Sequence, residues 1–256
     1  MKNYITLLFH ELFILLITPA SYIASVIFLL LTGAFYLYIL SQYLVRPLEE
    51  LPSSLFIQLY WVPALFVIPL LTMKSIAEER RSGTLQTLKT TSVSSFSIVF
   101  SKFSAAYLFY MFLWALTFFF PVIINKFIPT ISLQMPLYDV ASLKGGYIFL
   151  ALSSFLFISF GIFTSSLTRS QLVAGIFCFT LIITVTVLSW LLSSITQTVS
   201  SEISWLKSPL QYFQTVKYLK SSTVGIIDSR PFIYYTTNAL IFLGLATLAI
   251  DAKKSS

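Results

Sequence analysis

The sequence predicts an all-α integral membrane protein that crosses a bilayer six times. Three observations carry that expectation. Of the 256 residues, 57% are hydrophobic and only 10% charged, against about 25% charge in an ordinary soluble domain. Mean hydropathy is +0.88, so a water-soluble fold of this length would have too few polar side chains to cover its surface. The charged residues are also clustered, leaving six long runs free of Asp, Glu, Lys and Arg. Each run is long enough for a helix rising about 1.5 Å per residue through a hydrocarbon core of about 30 Å. Residues 1–256 read as one transmembrane domain, with no room for a separate catalytic domain.

Residues 1–18 differ from the spans. Ile5, Leu8, Phe9, Leu12 and Leu16 recur at helical spacing, while Asn3, Thr6 and His10 share another face. This pattern predicts an amphipathic helix lying in the membrane interface. Lys2 followed by apolar residues resembles a signal peptide, but His10 and Glu11 interrupt the run and no small-residue cleavage site follows, so the segment is expected to belong to the mature protein. Thr18-Pro19 marks the turn into the bilayer, with proline at a first helical position. The spans are expected at about 19–40, 52–73, 103–124, 146–167, 172–192 and 231–250. A charge at the centre of such a helix costs roughly 2.5–3.5 kcal/mol on insertion scales. Pro63 and Pro69 predict a bend in the second span, which neighbouring helices must satisfy. Gly161, Ser165, Gly175 and Gly244 suit close helix packing. Most of the 25 phenylalanines are expected on lipid-facing surfaces and in interfacial belts.

Orientation follows from basic residues near span ends. Lys74, Arg80, Arg81, Lys89 and Lys102 lie between spans two and three, and Lys253 and Lys254 at the C-terminus. The loop after span one has Arg46 offset by Glu49 and Glu50. The bias places both termini and residues 74–102 in the cytoplasm. Lys207, Lys217, Lys220 and Arg230 in the loop before span six run against it. The net charge of +7 is read as contact with membrane lipid headgroups and as topology, not as a nucleic-acid surface.

Several chemistries lack their residues. There is no G-x-x-x-x-G-K-[ST] phosphate loop and no H-E-x-x-H. Cys178 is the only cysteine and His10 the only histidine. An intramembrane enzyme would have to rely on His10, outside the spans, and no span carries the central charged residue that ion-coupled transporters use. No metal or cofactor is expected in this chain, and it is not expected to be an enzyme.

The segment from Lys74 to Lys89 stands apart because it is dense in charge. Ser82 or Thr84 suits a helix cap, and Gly83 permits a sharp change of direction. Leu85 and Leu88 would then share a helix face. Composition leaves two readings open: a docking surface for a soluble partner, or a loop that only satisfies the positive-inside bias.

The stretch Pro69-Leu-Leu-Thr-Met-Lys-Ser-Ile-Ala-Glu-Glu-Arg-Arg-Ser-Gly-Thr-Leu-Gln-Thr-Leu88 resembles the hallmark segment of ABC-2 type permeases, nearest to those of gliding-motility and nitrous-oxide-reductase maturation systems. Glu11-Leu12 with Thr18-Pro19-Ala20-Ser21-Tyr22 resembles the family's approach to span one, and Gly161 to Ala174 its turn between spans four and five. Val93-Ser94, Ile98-Val99 and Lys102-Phe103 resemble its approach to span three, and Gly225-Ile-Ile-Asp228 with Arg230 and Tyr234 that to span six. The chain departs from the pattern at His10, Ser101 and Pro231, all outside 78–88. The resemblance implies a permease subunit of a bacterial inner-membrane transporter, paired with a second copy or paralogue. It implies a separate ATP-binding-cassette ATPase that holds the ATP and magnesium. A cytoplasmic coupling helix between spans two and three would meet that ATPase through Glu78, Glu79, Arg80, Arg81, Gly83, Thr84, Leu85 and Leu88. ATP hydrolysis would then drive export or pass force to a periplasmic partner; a non-transporting scaffold for a motility or assembly machine is the alternative.

Overall fold

A computed structural model describes residues 2–45, 50–84, 94–127, 138–198, 215–223, 225 and 228–252. The described residues form helices and turns, with no strand among them. In chain order the helices are α1 (Lys2–Ile17), α2 (Pro19–Val45), α3 (Pro52–Gln58), α4 (Trp61–Thr72), α5 (Ala77–Ser82) and α6 (Ser95–Thr117). They continue with α7 (Phe119–Phe127), α8 (Val140–Leu167), α9 (Gln171–Thr198), α10 (Thr215–Thr223) and α11 (Arg230–Ala252). Six stretches are long and apolar enough to cross a membrane: Pro19–Val45, Trp61–Ser82, Ser95–Ile124, Val140–Leu167, Gln171–Leu191 and Arg230–Ala252. The chain is an all-α, multi-span membrane protein.

The helix starts follow local chemistry. Pro19 opens α2 directly after Thr18, whose hydroxyl and amide both donate to the Ile14 carbonyl and close α1. Pro52 opens α3 from an extended Leu51. Ser94 caps α6 by accepting from the Ser97 amide, and Asp139 caps α8 by accepting from the Ser142 amide.

The second uncharged run is broken rather than gently bent. Pro63 has no N–H to offer the Leu59 carbonyl, which accepts from Val62 instead, and the chain turns at Leu59 and Tyr60. The run becomes a short buried α3 followed by α4, and the span starts near Trp61 instead of 52.

Helix α8 is the hub. It packs against α3, α4, α6, α9, α10 and α11, and 78% of its spanning window is buried, against 22–33% for α2, α9 and α11. Its sequence suits a central position because its polar residues satisfy themselves. Ser154, Ser159, Thr164 and Ser166 donate to carbonyls three or four residues back in the same helix. Gly161 is where α8 meets α4: a Cβ there would fall 2.1 Å from Thr72 Oγ1. The same expectation fails at Gly244, where a Cβ would meet nothing within 4 Å.

The phenylalanines divide between surface and interior. Leu30, Leu172, Leu248 and Phe177 point outward on α2, α9 and α11, as lipid-facing residues should. Phe28, Phe103, Phe149, Phe157 and Phe160 are instead buried in edge-to-face and stacked contacts.

The N-terminal helix also differs from its expected face. Ile5, Phe9, Phe13 and Ile17 form the exposed stripe. Leu8 and Leu12 are only half-exposed, because Tyr4 and Glu11 on the inner side are drawn to α6.

Candidate functional site at the end of α4

Helix α5 is six residues long and could not stand alone. No side chain of its own caps its start. Ser165 of α8 does this from outside: its hydroxyl accepts from the Ile76 and Ala77 amides, each at 3.0 Å, and lies 3.3 Å from the Met73 carbonyl as donor. Two orphan donors of the first turn are thus satisfied by another span. Glu78 and Glu79 occupy the first turn and Arg80 and Arg81 the last, each complementing the helix dipole.

Gly83 ends α5 with φ of 78°, a left-handed conformation that favours glycine. Ser82 and Thr84 fold back over the end. The Ser82 hydroxyl donates to the Glu78 carbonyl at 3.0 Å, and Thr84 reaches the Glu79 carbonyl at 3.4 Å. The expected change of direction at Gly83 is therefore present, preceded by a helix. Leu85 and Leu88 lie outside the described residues.

The charged residues of α5 separate into two sets. Glu79 and Arg80 turn inward to the protein's own helices. Glu79 accepts from Lys102 of α6 at 2.7 Å. Arg80 Nη2 donates to the Ala249 carbonyl at the end of α11, at 3.3 Å. Glu78, Arg81, Ser82, Gly83 and Thr84 are exposed.

Lys102 is the centre of the arrangement. Only 4% exposed, it also donates to Glu11 of α1 at 2.6 Å. One ammonium thus ties the N-terminal helix, α5 and α6 together, with two carboxylates opposite one cation. In so dry a place a charge is tolerable only when paired and hydrogen-bonded. Nearby, Ser95 at the start of α6 donates to Asp251 of α11 at 2.5 Å. A cavity of about 370 Å³ opens beside these groups, its charged lining supplied by Glu11, Lys74, Glu78, Glu79 and Lys102. Among the described residues, no group of three or more His, Cys, Asp or Glu is placed to hold a metal ion.

Sequence reasoning treated Lys102 as an orientation signal and gave Glu11 and Ser165 no role in the site. The signal for Lys102 was present in weak form: a lysine seven residues inside an apolar helix that starts at Ser95 needs an acidic partner. Which acid it meets depends on tertiary packing. Comparison with known proteins returns no matching family model and no matching curated protein.

Proposed function

We propose that this chain is the membrane subunit of an ATP-driven transporter, and that α5 receives force from a separate ATP-binding-cassette ATPase on the cytoplasmic side. The observation that carries this reading is how α5 is mounted. A six-residue helix with an exposed rim of Glu78, Arg81, Ser82, Gly83 and Thr84 is strapped to α6 by Lys102, to α8 by Ser165 and to α11 by Arg80. A loop needed only for orientation has no use for such fastening. A push on the rim would reach three spans at once. The resemblance of 69–88 to ABC-2 type permeases supports the same reading and names the partner class. In it, Glu78 and Arg81 set the orientation of docking through rim charges, Leu85 and Leu88 fill a groove on the ATPase, and a second permease subunit completes the complex.

Co-purification from native membranes, with ATP hydrolysis measured on the eluted complex, tests the reading. The wild-type chain should bring down ATPase activity, and a Leu85→Asp, Leu88→Asp variant should lose most of it. Undiminished activity in that variant would remove the docking claim.

A further inference from the structure

The cavity beside Lys102 holds more charge than the mounting of α5 uses. Lys102 is matched by Glu11 and Glu79, but Lys74 and Glu78 also line the space. Those two form no ion pair with each other or with any other described residue. Three carboxylates therefore meet two ammoniums around one cavity. Glu79 gives one oxygen to Lys102, while its other, Oε2, is buried and has no hydrogen-bond partner. A buried carboxylate oxygen without a donor is costly and calls for a reason. The space beside it, about 370 Å³, falls within the usual range of ligand sites, about 300–1,000 Å³.

The remaining lining says what kind of guest fits. Ile14, Leu15, Leu70 and Leu71 form an apolar wall. Ile14 is 42% exposed, on the same end of α1 as outward-facing Phe13 and Ile17. The charged wall continues to Glu78, Ser82 and Thr84 on the exposed rim of α5. The cavity thus joins an apolar outer surface to a polar one, the boundary at which an interfacial helix meets lipid heads and chains.

The charges divide into two centres. Lys74 is the first, together with the opening turn of α2, where Thr18, Ala20 and Ser21 line the wall at the N-terminus of a 27-residue helix. Both suit a phosphate. Glu78 and the spare oxygen of Glu79 are the second, and they suit an N–H donor. An anionic head would satisfy the first centre and leave the excess carboxylate unmatched. A zwitterionic head brings its own ammonium to the second. Among the described residues no aromatic ring lines the cavity, so it lacks the cage that recognises a quaternary ammonium. A primary ammonium instead carries three hydrogen-bond donors.

We propose that this cavity binds the phosphoethanolamine head of one membrane lipid. The phosphate sits at Lys74 and the start of α2, the ammonium at Glu78 and Glu79, and the acyl chains leave past Ile14. A lipid held there touches α1, α2 and α5 together and clamps the corner on which α5 is mounted. The proposal goes beyond the transporter reading and does not depend on it.

The test is native mass spectrometry of the purified full-length chain, delipidated in detergent. It is titrated with phosphatidylethanolamine, phosphatidylcholine and phosphatidylglycerol of identical acyl chains, with soluble glycerophosphoethanolamine as a competitor. One phosphatidylethanolamine per chain should be retained about tenfold more tightly than either other lipid. Lys74→Gln and Glu78→Gln should each weaken that retention by about tenfold, the equivalent of 1.4 kcal/mol. The lipid-free melting temperature should stay unchanged, because neither side chain is in an ion pair within the protein. Equal retention of the three lipids, or retention insensitive to both substitutions, would mean annular lipid only and overturn the proposal. Preference for phosphatidylglycerol would overturn it as well, since the carboxylates would then have no part in binding. Displacement by glycerophosphoethanolamine at concentrations matching the lipid would assign the head chemistry to a water-borne ligand and remove the lipid. Should either charge variant fail to fold, Ile14→Trp narrows the apolar mouth at an exposed position and should lower phosphatidylethanolamine retention by itself. No ATPase is present in these measurements, so their failure and a failure of ATPase capture are separate results.

Discussion

Lys102 shows what a single residue can decide in this molecule. Its ammonium is nearly sealed from solvent and holds Glu11 and Glu79 at 2.6 and 2.7 Å. Removing one partner of a buried ion pair leaves uncompensated charge and costs about 3–5 kcal/mol, whereas replacing all the charges by apolar groups of similar size is often close to neutral. Lys102→Ala should therefore lower the melting temperature in detergent sharply, since it strands two carboxylates. Lys102→Met combined with Glu11→Leu and Glu79→Leu should recover much of that loss. A triple variant no better than Lys102→Ala would show that the charges are not what holds the three helices together. Gly161 allows a purely steric counterpart. Gly161→Ala puts a methyl 2.1 Å from Thr72 Oγ1, so it should destabilise by about 1–3 kcal/mol, the usual cost of overpacking. Thr72→Gly, which also removes the Thr72 Cβ that would lie 2.6 Å from the new methyl, should rescue most of it, and additive effects of the two changes in a double-mutant melting series would count against a direct contact.

At the scale of elements, α5 depends on a cap borrowed from α8. Ser165→Ala removes the hydroxyl that accepts from the Ile76 and Ala77 amides and should cost about 1 kcal/mol. Hydrogen exchange should locate that loss: the amides at 76 and 77 should open several-fold faster while those in the middle of α8 keep their protection. Uniform acceleration along α8 would mean that Ser165 supports its own helix instead. The same element marks the limit of what the sequence reveals. Hydropathy is a property of one segment at a time, so the spans were legible, as was the turn at Gly83, because a left-handed residue is a local requirement. Pro63 announced trouble in the second run, but whether a proline bends or breaks a helix depends on what surrounds Leu59 and Tyr60. Glu79 and Arg80 read as docking charges because nothing local says that Lys102 and the Ala249 carbonyl will meet them. Burial of Tyr36, Tyr60, Tyr110 and Trp114 was missed for the same reason: a Tyr or Trp in an apolar run looks alike whether it faces lipid or the α8 hub.

Across the whole molecule, α5 and the α3–α10 region lie at opposite ends of the spans. Helix α5 follows the C-terminal end of α4 and meets the end of α11 through Arg80. Gln58, Thr223, Glu50 and Lys220 cluster before α4 begins and before α11 begins. The proposed function requires the α5 end to face the cytoplasm. The basic residues favour that orientation at Lys74, Arg80 and Arg81 but oppose it at Lys217 and Lys220. Single-cysteine variants in a Cys178→Ser background decide the matter, since Arg81 is exposed and the Lys220 side chain is 60% exposed. In intact cells, a membrane-impermeant maleimide should label Lys220→Cys and leave Arg81→Cys untouched until the membrane is opened. Glu50 and Lys220 are 3.8 Å apart in an exposed pair worth no more than about 1 kcal/mol, so replacing Lys220 should leave the fold intact. Labelling of Arg81→Cys from outside would turn the molecule over. It would put the α5 rim beyond the reach of any cytoplasmic ATPase, and the coupling reading would fall with it.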